Sequence, residues 1–480
     1  ANEKRFFHWE LEFPEVFYGP RPGTRQVIER LEDAGFDAVI GNPPYDVLAS
    51  EELGYDVSHE LAFYEALSVY KPAIRGKKNL YKLFVCRGIS AMSTRGGFSF
   101  IVPMPILGDD QAADVRRQLI QKTGLIAVEA FPQKDEPHNR VFPEAKLSTS
   151  VFVTCATPSE ARFTIRTHPG RVVDVKSPTL EIASSEVLAF DPQNVAIPSC
   201  TQEDWDLAVR LVSLNKIHRM FEIAKSYQGE INETSERAKG TLTSHPGAPI
   251  VLRGANVCMY TVREPSQGEE VRLDVKQFLA GKRQDAKAFA HKHKRVGFQR
   301  SSPQNNFRRI IAAPIPRGSF CLDTISYVTD ESSQIDLDLL LALLNSKILD
   351  WYFRLGSTNS KVNEYQFNVL PVPTLSKDPL DIGLMPLLER GHWAGLTDLL
   401  CEIGTEPGLM PRPVAQAIAE MSRRIQEIEA KRILKSRSER SHLAPESQPI
   451  QDAIDTLLFR CYGLSQEDAH YIEQRLGEML

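Results

Sequence analysis

Phe36-Asp-Ala-Val-Ile-Gly-Asn-Pro-Pro-Tyr45 decides the fold. Phe36 to Gly41 is a short apolar run ended by a turn signal, the signature of a buried strand. Asn42-Pro43-Pro44-Tyr45 then stands at the carboxyl end of that strand, where open α/β sheets bind their ligands. The two prolines stiffen the backbone and bring no N–H of their own to occupy nearby carbonyls. The Asn42 amide oxygen and the Pro43 carbonyl make two acceptors aimed at one point, which suits an amino group with two hydrogens. Accepting both hydrogen bonds drives that nitrogen toward tetrahedral geometry and keeps its lone pair available for attack. Tyr45 adds an aromatic face on which a planar ring can stack. The matching chemistry is methylation of an exocyclic amino group by a sulfonium donor, with no metal and no covalent enzyme intermediate. The alternative is a proline-stiffened loop after a strand.

Working outward, residues 59–70 carry apolar positions at helical spacing. Residues 79–93 predict a second helix ending at Arg95-Gly96-Gly97, and Phe98 to Val102 a strand stopped by Pro103. Residues 109–122 read as helix and Leu147 to Thr154 as strand, so 1–155 is expected to form a parallel, doubly wound α/β sheet. Residues 156–202 are rich in Pro, Ser and Thr and read as a linker with short strands. Residues 203–375 are mixed α+β, with an apolar helix over Leu337 to Leu355. Residues 376–480 are mainly helical, with a long charged helix from Pro413 to Ile433.

The 480 residues allow two to four domains, and 42% hydrophobic with 25% charged residues is ordinary globular composition. That excludes a wholly disordered chain and a small disulfide scaffold. The seven cysteines are scattered with no C-x-x-C pair, which argues for reduced thiols and against a zinc site. No apolar run approaches the roughly 18–20 residues that span a bilayer, and no signal peptide opens the chain. A cytoplasmic protein without a membrane segment is expected.

The stretch Phe36 to Tyr45 resembles motif IV of the amino-methyltransferases that act on adenine N6 in DNA. Phe7-His-Trp-Glu-Leu-Glu-Phe-Pro-Glu-Val-Phe17 is similar to the segment before motif IV in Type IIG restriction–modification methyltransferases and their BREX- or DISARM-like phage-defence relatives. Asn79-Leu-Tyr-Lys-Leu-Phe84 and Gly96-Gly-Phe-Ser-Phe-Ile-Val-Pro103 resemble the next two motifs, and Val141 to Phe152 the motif VIII region. The resemblance continues through Leu252-Arg-Gly-Ala-Asn-Val257, Leu343-Leu-Asn-Ser-Lys347 and Asn363 to Pro373, the last similar to that group's target-recognition domain. It implies a Rossmann-like methyltransferase sheet, a mixed α+β target-recognition domain and a helical C-terminal region. It further implies S-adenosyl-L-methionine as cofactor and double-stranded DNA as partner. Adenine N6 is reached by flipping the base, with Tyr45 on one face and Phe142 as candidate for the other. The alternative for Phe142 is a core aromatic. Methyltransferases acting on RNA or on a protein glutamine amide share Asn-Pro-Pro-Tyr but normally lack so long a C-terminal region. Asp135 with Glu144-Ala-Lys146 echoes a metal-dependent nuclease pattern, which is short and common.

One departure stands out. The family builds its cofactor site on a Gly-x-Gly-like turn upstream of Asn-Pro-Pro-Tyr, whereas 41 residues precede Asn42 here and none of the 28 glycines forms Gly-x-Gly. The sheet is therefore expected to be incomplete at its N-terminus. An upstream segment or a partner chain would supply the cofactor-binding half, and other defence-system subunits are possible partners. Asn42 and Pro43 would adjoin the cofactor. The alternative is a non-catalytic DNA-recognition subunit of a defence complex.

The net charge of −5 conceals a basic segment. Between Gly281 and Phe320, ten Lys or Arg (Lys282, Arg283, Lys287, Lys292, Lys294, Arg295, Arg300, Arg308, Arg309, Arg317) face one acid, Asp285, a balance of +9. Such side chains contact phosphates and release counterions. Lys292, Lys294, Arg295, Arg308 and Arg309 are the candidates for this. Gln299, Arg300, Gln304, Asn305 and Asn306 are candidates for reading base edges. The alternative is a solvated basic face. His291-x-His293 reads as phosphate contact rather than a metal pair. Thr358-Asn-Ser-Lys361 resembles a loop near the DNA, and Asn363 and Tyr365 either touch DNA or brace the domain.

Overall fold

The structure is a computed structural model describing residues 7–24, 27–158, 162–263, 265, 270–357, 360–376, 390–403, 406–432, 439 and 442–479. The chain divides into two compact units, Ala1–Asp206 and Leu207–Leu480.

Unit 1 is built on β1 (Phe36–Gly41), α1 (Leu80–Ala91), β2 (Met92–Pro103), α2 (Ala113–Gln121), β3 (Gly124–Phe131), β4 (Thr149–Cys155), β5 (Arg162–Thr167) and β6 (Thr179–Ala183). The six strands form one sheet in the order β1-β2-β4-β3-β5-β6. The expected all-parallel sheet is corrected to a mixed one. β1 is parallel to β2 and β3 to β5, whereas β4 and β6 run antiparallel to their neighbours. A parallel return needs a crossover, usually a helix. The 132–148 connection holds only a short turn at Pro137–Asn139, so β4 comes back antiparallel.

The stretch 156–202, read from composition as a linker with short strands, supplies β5 and β6, which join the sheet, and the helix α3 (Ser184–Phe190). Alternating Phe163 and Ile165 on β5, with Leu180 and Ile182 on β6, bury one face of the sheet's far edge. Each strand shows only two such residues, too few to betray its place in the sheet. The helix expected over 79–93 stops at Ala91 because Met92 pairs with Phe36 and the Thr94 N–H donates to Asp33 Oδ1 at 2.7 Å. Gly88 lets α1 lie against β2, since a Cβ there would come within 2.3 Å of the Phe98 ring.

β1 was predicted as a buried strand. It forms the sheet's edge, and Ile40 is 83% exposed.

Unit 2 carries β7 (Ala224–Gln228), β8 (Arg295–Gln299), β9 (Ala312–Ile315) and β10 (Ile325–Ser333) in an antiparallel sheet ordered β7-β10-β8-β9. The single helix predicted over 337–355 is two, α4 (Leu337–Leu344) and α5 (Lys347–Leu355). Asn345 breaks it by exchanging both amide hydrogen bonds with Ala312, 3.0 Å each. Ser346 Oγ then caps α5 by accepting from the Leu349 N–H. The C-terminal helices α6 (Arg412–Glu429), α7 (Gln448–Cys461) and α8 (Gln466–Glu478) belong to the same unit: α6 packs on α4, and α8 on α5. Among the described residues no helix is long and apolar enough to cross a membrane.

Candidate functional site

Asn42 leaves the end of β1 exposed to solvent, Pro43 is buried, Pro44 is exposed and Tyr45 is half-buried. The turn is held from two sides. The Tyr45 hydroxyl donates to Ile101 O of β2 at 3.1 Å. Beyond it, the Leu80 N–H donates to Asp46 O at 2.8 Å and the Leu48 N–H to Lys78 O at 2.9 Å. Burial pushes the Tyr45 hydroxyl up to about 12, so it stays protonated and donating at neutral pH. Prolines 43 and 44 have no N–H that could disorder this geometry by local pairing.

Phe142 is half-buried, not a core aromatic, and faces Tyr45 edge-on, with ring centroids 6.1 Å apart at 67°. Its loop is tied by Arg140, whose guanidinium donates to the carbonyls of Lys134 (2.6 Å), Asp135 (3.1 Å) and Pro143 (3.1 Å). The nuclease-like trio dissolves into an exposed ion pair, Lys146 to Asp135 at 3.1 Å, of the kind that adds little stability. Among the described residues no group of three His, Cys, Asp or Glu is placed to hold a metal ion.

A cavity of 410 Å³ opens beside the turn, with Asn42 and Pro43 in its wall. The rest of the wall is largely apolar, including Phe36 and Ile40 of β1, Phe84 of α1 and Trp9. Among the described residues of its wall, Arg87 is the one charged side chain and none is a carboxylate. The described lining of this cavity therefore offers no carboxylate for a ribose.

In unit 2 the basic segment divides. Lys292 and Lys294 are exposed, and Arg300 is partly exposed with one Nη donating to Asp323 O at 2.8 Å. Asn305 is exposed. Five of the other candidates are engaged within the fold. Arg295 is buried against Glu230, with N–O 3.3 Å and both side chains fully buried. Gln299 is buried and donates to Val257 O at 2.7 Å. Arg308 and Arg309 are buried too; burial pulls the Arg309 guanidinium down to about 10 although Asp350 opposes this. Asn306 turns its amide inward, to Ser302 Oγ (3.2 Å) and Arg308 O (2.8 Å). His293 sits 3.5 Å from Asp330 and from Glu331, a poor environment for a phosphate. The Asn363 N–H donates to Gln366 Oε1 at 3.0 Å, and its side-chain amide to the Tyr365 hydroxyl at 3.3 Å. Thr358 and Asn359 lie outside the described residues.

Residues 1–136 match the Eco57I restriction-modification methylase family. No curated protein matches. Among solved structures, the chain is similar to the Type IIL restriction-modification enzyme MmeI in complex with DNA, at 10% identity and TM-score 0.50, over 92% of this chain and 57% of that one. It also matches the type IIG restriction endonuclease BpuSI at 12% identity and TM-score 0.32, over 89% of this chain and 54% of that one. The chain thus spans little more than half the length of either. The MmeI likeness, one of fold, reaches beyond residues 1–136 into both units.

Three features were missed from sequence. Asp350 and Arg354, four apart inside the apolar helix, were a legible signal, since opposite charges at that spacing meet on one helix face. Arg140 and Glu230 carry no such local sign.

Proposed function

We propose that the chain is the catalytic and target-reading portion of a site-specific DNA adenine-N6 methyltransferase of a restriction–modification or phage-defence system, acting in the cytoplasm. The observation that carries this reading is the braced Asn42-Pro43-Pro44-Tyr45 turn, with the Asn42 amide exposed beside an apolar cavity at the carboxyl end of β1. A flipped adenine stacks on Tyr45. Phe142 rotates out of its edge-on contact to cover the other face. The Asn42 amide oxygen and Pro43 carbonyl accept the two N6 hydrogens and orient the nitrogen lone pair. S-adenosylmethionine, when bound, supplies the electrophilic methyl group.

The exposed edge of β1 and the lack of a carboxylate among the described residues of the cavity wall support a cofactor-binding half contributed by an upstream segment or a partner chain. The same two observations favour, as second reading, a DNA-recognition subunit that does not itself methylate. A methylome of cells expressing the complete system decides between them: a methylated adenine motif that vanishes with the gene supports the enzyme, and its absence supports the subunit. Titration of residues 1–480 with S-adenosylmethionine tests the two-part site, which micromolar binding by this chain alone overturns.

Three further outcomes are expected. Tyr45→Phe keeps the stacking face and methylates within about tenfold of the parent. Tyr45→Ala loses the stack, worth about 1–3 kcal/mol per base, and falls roughly ten- to hundredfold in kcat/KM. Changing Lys292 and Lys294 together to Gln removes two phosphate contacts and flattens the salt dependence of DNA affinity by about 2 in log–log slope, measured by fluorescence anisotropy across salt concentrations.

A further inference from the structure

The connection between β8 and β9 is an exposed loop with a buried foundation. At its tip, the Asn306 N–H closes a turn on Pro303 O at 3.1 Å. From beneath, Arg354 of α5 donates to the carbonyls of Gln304 (3.1 Å), Asn306 (2.7 Å) and Phe307 (3.3 Å), and its Nε to Asp350 at 3.0 Å. The other Asp350 oxygen accepts the N–H groups of Arg309 (2.7 Å) and Ile310 (3.0 Å). The two side chains are 5% and 1% exposed. On its other side the loop is laced to the 360–362 segment by Ser302 N–H to Ser360 O (2.9 Å) and Val362 N–H to Arg300 O (3.0 Å).

Burying an ion pair costs desolvation that only good geometry and further hydrogen bonds offset. Here those hydrogen bonds go to the backbone of a surface loop. The result is a rigid backbone carrying exposed side chains, which reduces the ordering cost of binding. Those side chains are Gln304, Asn305 and Phe307. The Gln304 amide makes one marginal contact, 3.5 Å to Ser357 O, and the Asn305 amide makes no hydrogen bond among the described residues. Phe307 is steadied by stacking on His442, centroids 4.2 Å apart at 21°. A side-chain amide presents one donor and one acceptor in the spacing of adenine N7 and N6 in the major groove.

We propose that Asn305, with Gln304 beside it, reads an adenine at one position of the recognition sequence, and that Arg354 is the positioning residue holding their backbone in register. This rests on the proposed reading of the chain as a DNA methyltransferase. It narrows five candidate base readers to the two whose amides are exposed and not committed to bracing the fold.

The test selects bound sites from a duplex library with randomised core, using the full-length protein, and maps methylated sites in parallel. Because Asn305 is exposed, Asn305→Ala is expected to fold normally and to lose preference at one A·T position by about ten- to hundredfold, with other positions unchanged. Asn305→Arg moves that position toward guanine. Identical motifs for the parent, Asn305→Ala, Asn305→Arg and Gln304→Ala overturn the inference while leaving the proposed function standing. A parent protein that selects no motif overturns both. A selected motif without methylation, altered by Asn305→Arg, supports the loop assignment and overturns the catalytic reading alone.

Discussion

Asn42→Ala is expected to lower methyl transfer by about 100- to 1,000-fold with DNA affinity and thermal stability unchanged. The size follows from what the side chain does. One positioned polar group acting on the reacting centre is worth roughly that much, and Asn42 is one of only two acceptors proposed for the target amino group. The selectivity follows from where it sits. Asn42 is exposed at the end of β1, while the turn is held by Pro43, by Tyr45 through Ile101 O and by the Asp46 and Leu48 backbone bonds. Alanine at 42 therefore removes the amide and leaves its frame. Asn42→Asp keeps the oxygen but adds negative charge beside an apolar cavity and also loses activity. Methyl incorporation into duplex DNA by the full-length enzyme, with binding measured in parallel, checks this. Unchanged methylation by Asn42→Ala sinks the catalytic assignment.

Glu230→Ala destabilises unit 2 by about 3–5 kcal/mol, the range for removing one partner of a buried ion pair. Glu230 and Arg295 lie 3.3 Å apart with both side chains fully buried. The Arg295 guanidinium also lies 5.1 Å from the Tyr327 ring centroid, and Glu230 accepts the Cys321 N–H at 3.0 Å. Burial raises the Glu230 carboxyl even though Arg295 opposes the shift, so the site penalises charge unless both partners are present. Alanine at 230 leaves a guanidinium in the core with no counter-charge. Replacing both residues, as Glu230→Leu with Arg295→Met, is expected to recover most of the loss because no charge is then stranded. Urea unfolding read by tryptophan fluorescence measures both variants. A loss below about 1 kcal/mol for Glu230→Ala contradicts the buried-pair account. Charge reversal at Arg295, which the basic composition of its segment invites as a test of DNA binding, would instead unfold the domain; Lys294, its exposed neighbour, is the residue to change.

The contrast between Arg295 and Lys294 shows where sequence reading stops. Both lie in the same basic run. Lys294 stands just before β8, whereas Arg295 is the first residue of a strand buried along its whole length; what receives the Arg295 charge there is Glu230, some 65 residues away in the chain. The same limit applies at 156–202. Its composition reads as a linker, and only pairing with β3 shows that β5 belongs to the sheet.

By itself the sequence determined the turn proposed to carry the chemistry. Four consecutive residues after an apolar strand contain their own rigidity, acceptors and aromatic face, and none of these needs a distant partner to be recognised. It also determined the α/β character of unit 1 and the basic excess at 281–320. Tertiary structure alone decided which basic residues remain on the surface, that Phe142 faces Tyr45, and that the 303–307 loop stands on Arg354 and Asp350. Each of these depends on contacts between residues far apart in the chain, and the burial such contacts impose has no local trace in composition or periodicity.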